Sequence, residues 1–122
     1  MNTKHHTSQQ ISKQLAEAGI GIESEYGWVG FINDNRGEYF EVRHERDSYP
    51  PRYPAPIATE ILENMPDGCE YGVNLVKLMS GYGVELTSYK TMPYDRLEFI
   101  QDKNPCDALA LLLIRLTKDG LI

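Results

Sequence analysis

The sequence predicts an α+β fold, in which an antiparallel sheet of four to five strands, built from two hairpins, is packed with about three helices in the order α-β-β-α-β-β-(β)-α. Three observations predict this class. Apolar residues recur at helical spacing in three segments, β-rich runs follow one another across short turns, and no strand leads through a glycine-rich turn into a helix. With 122 residues, the chain fits a single domain, 1–122.

The first helix is predicted over residues 8–18. Thr7 and Gln10 have the spacing of a capping box, in which the threonine hydroxyl accepts from the first turn. Gly19 stands where a left-handed residue ends a helix. Residues 1–6 precede the cap and are expected to be flexible. The apolar face of this helix is formed by Ile11, Leu15 and Ala18.

The first hairpin is predicted from two β-rich runs, residues 28–32 and 39–44. Between them lie residues that tolerate turn dihedrals, among which Gly37 accepts a positive φ. Gly27 and Gly30 are unusual in or beside a strand. They indicate a bulge or the close approach of another backbone.

A proline-rich connection over residues 47–56 follows the hairpin. We expect neither a helix interior nor a strand ladder there, because proline lacks an N–H group. Helix two is predicted over residues 57–65, with Pro56 near its first turn and Pro66 beginning its stop. The prolines of the connection are Pro50, Pro51, Pro54 and Pro56.

A second hairpin is predicted from residues 73–80 and 84–90, joined through Gly81-Tyr82-Gly83. Residues 97–100 are a candidate for a short fifth strand.

The last helix has the clearest boundaries. Asn104 is a suitable N-cap, Pro105 suits the first helical position, and Gly120 suits the position after the end. Residues 108–114 are apolar on nearly every face, which predicts burial on several sides or contact with a partner.

Charge and cysteine content exclude several classes of function. The formal charge is −6, and each half of the chain carries 6 basic and 9 acidic side chains. Such even mixing argues against nucleic-acid binding, which needs clustered Lys and Arg. The longest apolar run is far shorter than a membrane span, and we expect no secretory signal in the polar N-terminus. We therefore expect a cytoplasmic protein with two reduced thiols, Cys69 and Cys106.

Three segments of the chain carry a pattern of residues that is found in other small proteins. These residues are Leu15, Gly19, Glu23, Ser24 and Trp28, then Pro54, Ala55, Glu60, Leu62 and Pro66, then Asp107, Ala108, Gly120, Leu121 and Ile122. In them the chain resembles a group of small proteins encoded in phages and prophages, which has no assigned activity. The resemblance therefore implies no catalytic or binding residue, but it implies an accessory protein of a mobile element that works inside a bacterial cell.

The histidines and cysteines do not form a catalytic or metal-binding pattern. Adjacent His5 and His6 do not share a helix face, so a solvated tail is the expected state. His44 lies in a mixed-charge run without a visible cleft or orienting partner. Cys106 is the better of the two thiols for a nucleophile because helix N-termini lower thiol pKa values, yet free cysteine usually acts as a small buried hydrophobe.

No cofactor, metal or catalytic residue is predicted. The 37-residue separation of Cys69 and Cys106 is not a zinc pattern. Glu23 with Glu25, or Glu38 with Glu41, would act as a hydrolytic pair only across a cleft, and 18 acidic residues make chance pairs common.

Tyrosine is the residue type that points to function. Tyrosine offers a large contact area at low entropic cost and is enriched in recognition surfaces. The alternative is that the rings close loop edges over the core. Residues 49–54 also resemble a polyproline II segment that another protein could read, with a rigid structural strap as the alternative. Four tyrosines are candidate protein-interaction residues: Tyr49, Tyr53, Tyr82 and Tyr94.

The sequence favours a non-enzymatic protein-interaction module with an unidentified protein partner, and it leaves homo-oligomer formation open. The alternative is a small-ligand binder or enzyme whose site lies between the sheet and the helices. A pocket with convergent polar groups would favour the alternative, and an exposed aromatic patch would favour the module.

Overall fold

The computed structural model describes residues 6–35, 37–65, 71–90 and 95–120. Within these residues it confirms an α+β fold with three α-helices and antiparallel strands. The elements are α1 (Gln9–Glu17), β1 (Tyr26–Asn33), β2 (Gly37–His44), a 3-10 helix (Glu45–Asp47), β3 (Tyr53–Pro54), α2 (Ala58–Leu62), β4 (Tyr71–Leu78), β5 (Gly81–Ser88), β6 (Asp95–Asp102) and α3 (Pro105–Lys118).

The described strands form two three-stranded sheets, ordered β2-β1-β3 and β4-β5-β6, and not the single sheet of four to five strands expected from the sequence. The proline-rich connection explains why there are two sheets. It pairs with the free edge of β1, and the second hairpin would have to pair with that edge to form a single sheet. Arg52 N–H donates to the Trp28 carbonyl (2.8 Å), and Ala55 N–H donates to the Tyr26 carbonyl (2.9 Å). The bonding N–H groups belong to non-proline residues, so the expectation that this segment forms no ladder is wrong.

The N-cap of α1 is Ser8, one residue after the predicted N-cap Thr7. The Ser8 hydroxyl accepts from Ile11 N–H. Thr7 lies outside the helix, where its N–H donates to the Pro56 carbonyl (3.0 Å). Gly19 has φ +76°, as predicted for the residue that ends the helix.

α2 is shorter than predicted within the described residues. Its first turn is capped by Glu60, whose carboxylate accepts from Ile57 N–H at 2.9 Å. Its predicted stop at Pro66 lies outside the described residues.

The second hairpin turns at Met79 and Ser80, so Gly81-Tyr82-Gly83 belongs to β5 and not to the predicted turn. Gly83 is needed inside the strand because Phe99 of β6 lies over it. A Cβ atom at this position would stand 2.6 Å from Phe99 Cζ. β6 is twice as long as the four-residue strand predicted from the sequence.

α3 is the centre of the core, as its apolar sequence predicts. Asn104 caps it by accepting from Cys106 N–H at 2.9 Å, and Gly120 follows its end with φ +75°. β5, β6, α1 and α2 all pack against it. α3 has 14 residues and is the longest of the described helices. None of the described helices is long and apolar enough to cross a membrane. Its fully buried side chains include Ala108, Leu109, Ala110, Leu112 and Leu116.

Candidate interaction surface

The first sheet presents two faces, because successive side chains of a strand alternate. Trp28 faces one side, next to Tyr53 of β3 and Val42 of β2. Val29 and Phe31 face the other side. Of these, Trp28 and Val29 are buried.

Four side chains on the Val29 side form a group that we call the aromatic–arginine cluster: Phe31, Tyr39, Arg43 and Tyr49. The Phe31 and Tyr39 rings stack across the hairpin with centroids 5.6 Å apart. Tyr49 meets Phe31 edge to face at 5.5 Å. The Arg43 guanidinium carbon lies 5.4 Å from the Phe31 centroid and 5.7 Å from that of Tyr49. A cation packed between two rings gains attraction from both π-systems.

The chain between β2 and β3 places Tyr49 on this cluster. The 3-10 helix Glu45–Asp47 ends at Ser48, whose φ of +60° reverses the chain. Pro51 then lies directly against Gly27, where a Cβ atom would collide with it. The glycine in β1 thus marks a close approach, as the sequence indicated. The proline-rich connection holds Tyr49 over the sheet while leaving 48% of its surface exposed.

Tyr53, the second candidate tyrosine of this connection, lies on the opposite face of the sheet. Its ring is 6.3 Å from that of Phe40, over which Arg52 also packs at 5.2 Å. Arg52 pairs with Glu38 at 2.9 Å. Tyr49 and Tyr53 therefore belong to two surfaces, a separation that depends on strand register and is not visible in the sequence.

The other two candidate tyrosines are not brought to the cluster. Tyr82 is half-buried in β5, opposite Lys77 of β4 and Asp102 of β6. Tyr94 lies outside the described residues.

A cleft of about 180 Å³ borders the cluster, lined by residues that include Tyr49, Arg43 and His44. Arg46 N–H donates to His44 Nδ1 at 3.1 Å, so Nδ1 is the acceptor and the neutral ring carries its proton on Nε2. Nε2 faces the Glu25 carboxylate at 3.5 Å. The structure thus supplies the cleft and orienting partners that the sequence did not show. The hairpin register, which pairs Tyr26 with His44, is what brings Glu25 close.

A second cleft of about 260 Å³ lies between α1 and β3. Leu15, Ile22 and Pro54 are among its lining residues, and none of its lining residues is ionisable. This cleft can hold a small apolar group but offers it no acid or base.

Cys106 and Asp107 lie at the start of α3 and are both buried. Burial raises the pKa of the Cys106 thiol to about 11, and the Asp107 charge acts in the same direction. Burial also raises the pKa of Asp107, against hydrogen bonds from Ser8 that lower it. The helix N-terminus therefore does not activate this thiol, which occupies the core as a small hydrophobe. Cys69 lies outside the described residues.

His6 is buried with 2% of its surface exposed, so the expectation of a solvated tail is wrong at this residue. His6 Nδ1–H donates to the Thr7 carbonyl at 3.0 Å, and Trp28 Nε1–H donates to the same oxygen at 3.1 Å. Asn104 donates to the His6 carbonyl at 2.9 Å. Among the described residues, His6 Nε2 has no hydrogen-bond partner. His5 lies outside the described residues.

The carboxylates considered as hydrolytic pairs point to other partners. Glu38 pairs with Arg52, Glu41 pairs with Arg43, and Glu25 faces His44. Glu23 is exposed. Among the described residues, no group of three or more His, Cys, Asp or Glu side chains is arranged to hold a metal ion.

Comparison with known proteins gives this chain no relative: no protein-family model, no curated protein and no solved structure matches it significantly.

Proposed function

We propose that this protein is a non-enzymatic interaction module that binds another protein through the aromatic–arginine cluster. The observation that carries the proposal is the state of Tyr49, which is fixed by Phe31 and Arg43 yet remains half exposed. In keeping with the resemblance to phage and prophage proteins, we place this activity in the cytoplasm of a bacterial host, as that of an accessory protein.

The composition of the cluster supports binding to a protein. Tyr and Arg are, together with Trp, the residue types enriched among the interface residues that dominate binding energy. A ring already held in one orientation loses little side-chain entropy when a partner covers it. The cluster therefore combines a large contact area with a low ordering cost.

Local charge indicates the chemistry of the partner. Arg43 is paired with Glu41, and Glu25 and Glu45 also line the neighbouring cleft. These acids offset the guanidinium charge, so the surface does not favour a polyanion such as nucleic acid. It fits a protein surface that presents an apolar side chain with hydrogen-bonding groups around it.

Two tyrosine variants test the proposal, because the two residues lie on opposite faces of one sheet. The wild type, Tyr49→Ala and Tyr53→Ala are immobilised, exposed to lysate from lysogenic cells, and compared by mass spectrometry. A partner retained by the wild type is then titrated against each protein. Truncating a tyrosine anchor costs about 2 kcal/mol or more, which corresponds to a roughly thirtyfold loss of affinity.

We expect this loss for Tyr49→Ala and near wild-type affinity for the matched control Tyr53→Ala, both with native circular dichroism. Equal affinity of the folded Tyr49→Ala variant would contradict the proposal. A loss explained by a lowered melting temperature would assign Tyr49 a structural role only.

The oriented His44 favours a second candidate, a small-ligand binder or enzyme with its site in the adjoining cleft. A ligand in this cleft could place a polar group against His44 Nε2, beside Glu25. A general acid–base role requires such a contact between the imidazole and the ligand. Screening polar fragments by NMR against the wild type and His44→Gln separates the two candidates. Shifts confined to this cleft and abolished in His44→Gln would favour the ligand site.

A further inference from the structure

β4 is an edge strand of the second sheet, with β5 on one side and no described strand on the other. It runs over Tyr71–Leu78 and contains one charged residue, Lys77. Leu75 is 46% exposed and Val76 is 42% exposed, while Met79 at the adjoining turn is fully exposed. A long apolar edge of this kind is a template for pairing with another strand.

The other described sheet edges have features that prevent such pairing: a short strand with a proline, a register shift, or charged side chains. β3 is two residues long and ends in a proline, and β6 has a register shift opposite Leu86 and Thr87. Charges also protect the remaining edges, because a strand rich in charged side chains pairs poorly with another edge. On β2 these are Glu38, Glu41 and Arg43, and on β6 they are Arg96, Glu98 and Asp102. β4 alone among the described edges of full strand length lacks a bulge, a proline and a mixed-charge pattern.

We propose that β4 pairs with β4 of a second copy of this chain, antiparallel and about a two-fold axis at Leu75. Leu78 and Gly81 flank a two-residue turn, and such flanking residues exchange both hydrogen bonds. Alternation along the strand then turns the amide groups of Tyr71, Val73, Leu75 and Lys77 away from β5. These are the groups available to a new strand.

The symmetry of the pair selects Leu75 as its centre. A two-fold axis perpendicular to an antiparallel sheet places one residue opposite its own copy. Centring on Leu75 aligns residues 71–79, whereas centring on Val73 aligns fewer residues of this strand. The Leu75 N–H then donates to the Leu75 carbonyl of the second copy, and the Leu75 carbonyl accepts from the Leu75 N–H of that copy.

This register covers the exposed apolar residues and creates no like-charge pair. Val76 faces Asn74 of the second copy, and Met79 faces its Tyr71. Lys77 faces Val73 of the second copy, so the strand's one charge never meets itself, and like charges directly opposite would be destabilising. The charge pattern therefore fits a second copy of the same strand, and the product is a continuous six-stranded sheet.

A charge-exchange experiment tests the position of the axis. Leu75→Lys and Leu75→Glu place like charges opposite each other in their respective homodimers, so each variant should dissociate at least tenfold more readily than the wild type. A 1:1 mixture should recover dimers, because Lys then meets Glu. Sedimentation equilibrium measures all three samples. Leu97→Lys is the matched control, since Leu97 is 43% exposed on β6, and it should leave dimerisation unchanged.

Three outcomes of the charge-exchange experiment would overturn the proposal: a wild type that stays monomeric at high micromolar concentration, dimers that persist in both charge variants, or a mixture that does not recover dimers.

If either charge variant fails to fold, Leu75→Cys in a Cys69→Ala background replaces it. Directly opposed residues in such a pair have Cα atoms about 5.5 Å apart, within reach of a disulfide. Oxidation should therefore give a covalent dimer with Leu75→Cys and not with Leu97→Cys, and its absence contradicts the pairing. A β4 edge that binds an extended peptide of another protein, with the wild type monomeric, would also contradict a second copy as the occupant.

Discussion

Cys106 is the residue at which two opposing effects on one side chain can be compared. The N-terminus of α3 favours a thiolate, whereas removal from water and the neighbouring Asp107 disfavour it. Desolvation is the larger effect here, because the pKa is raised to about 11. The sequence could identify the helix start but could not show how completely the fold buries this thiol.

The folded protein should therefore protect Cys106 from alkylation at pH 8. In a Cys69→Ala background, iodoacetamide labelling should be slow in buffer and complete in denaturant, as measured by mass spectrometry. The raised pKa also stabilises the fold below about pH 9, and this contribution should be lost as pH rises towards 11. Rapid labelling of the native protein at pH 8 would contradict the burial of this thiol.

At the scale of elements, α3 and the hairpins differ in how far local sequence determines them. α3 was predictable because Asn104, Pro105 and Gly120 mark its ends and its apolar residues leave no polar face. The glycines of the second hairpin predict a turn at Gly81-Tyr82-Gly83, whereas the chain turns at Met79 and Ser80 and Gly83 serves the packing of Phe99. The pairing of β3 with β1 could not be predicted, because it depends on contacts between distant segments.

Replacement of Leu112 by alanine tests the role assigned to α3. Leu112 is fully buried, and removing a buried leucine side chain costs about 2–5 kcal/mol through lost transfer energy and the cavity left behind. Urea denaturation should show a lower midpoint with an unchanged slope. Leu111→Ala is the matched control, because Leu111 is only partly buried on the same helix and should cost less. Equal costs for the two variants would remove Leu112 from the centre of the core.

At the scale of the whole molecule, the α+β class with three helices could be predicted. The strand β3 between the first hairpin and α2, the division into two sheets and the location of a surface could not. All three depend on where the proline-rich connection lies. By pairing with β1 it completes the first sheet, and by passing over Gly27 it places Tyr49 on one face and Tyr53 on the other. The sequence identifies both tyrosines, yet only the strand register assigns them to different surfaces.

A hydrogen bond from Asn104 connects the first described residue, His6, to the start of α3. Substitutions of Asn104 therefore test what this connection contributes to stability. Its side-chain oxygen caps α3, while its side-chain nitrogen donates to the His6 carbonyl. Asn104→Ser retains a capping oxygen but loses the donation, and Asn104→Ala loses both. We expect a loss of about 1 kcal/mol for the serine variant from the missing hydrogen bond. A further loss of about 1 kcal/mol is expected for the alanine variant from the missing cap.

Trp28 provides an independent readout of this connection, because its indole N–H donates to the Thr7 carbonyl and it is the only tryptophan in the chain. Loosening of residues 6–8 should expose the indole, so tryptophan emission should shift to longer wavelength in both variants, by similar amounts. Stability, in contrast, should fall further in Asn104→Ala than in Asn104→Ser. Emission unchanged in both variants would show that the bond to His6 does not hold this segment against Trp28, and that Asn104 acts through the helix cap alone.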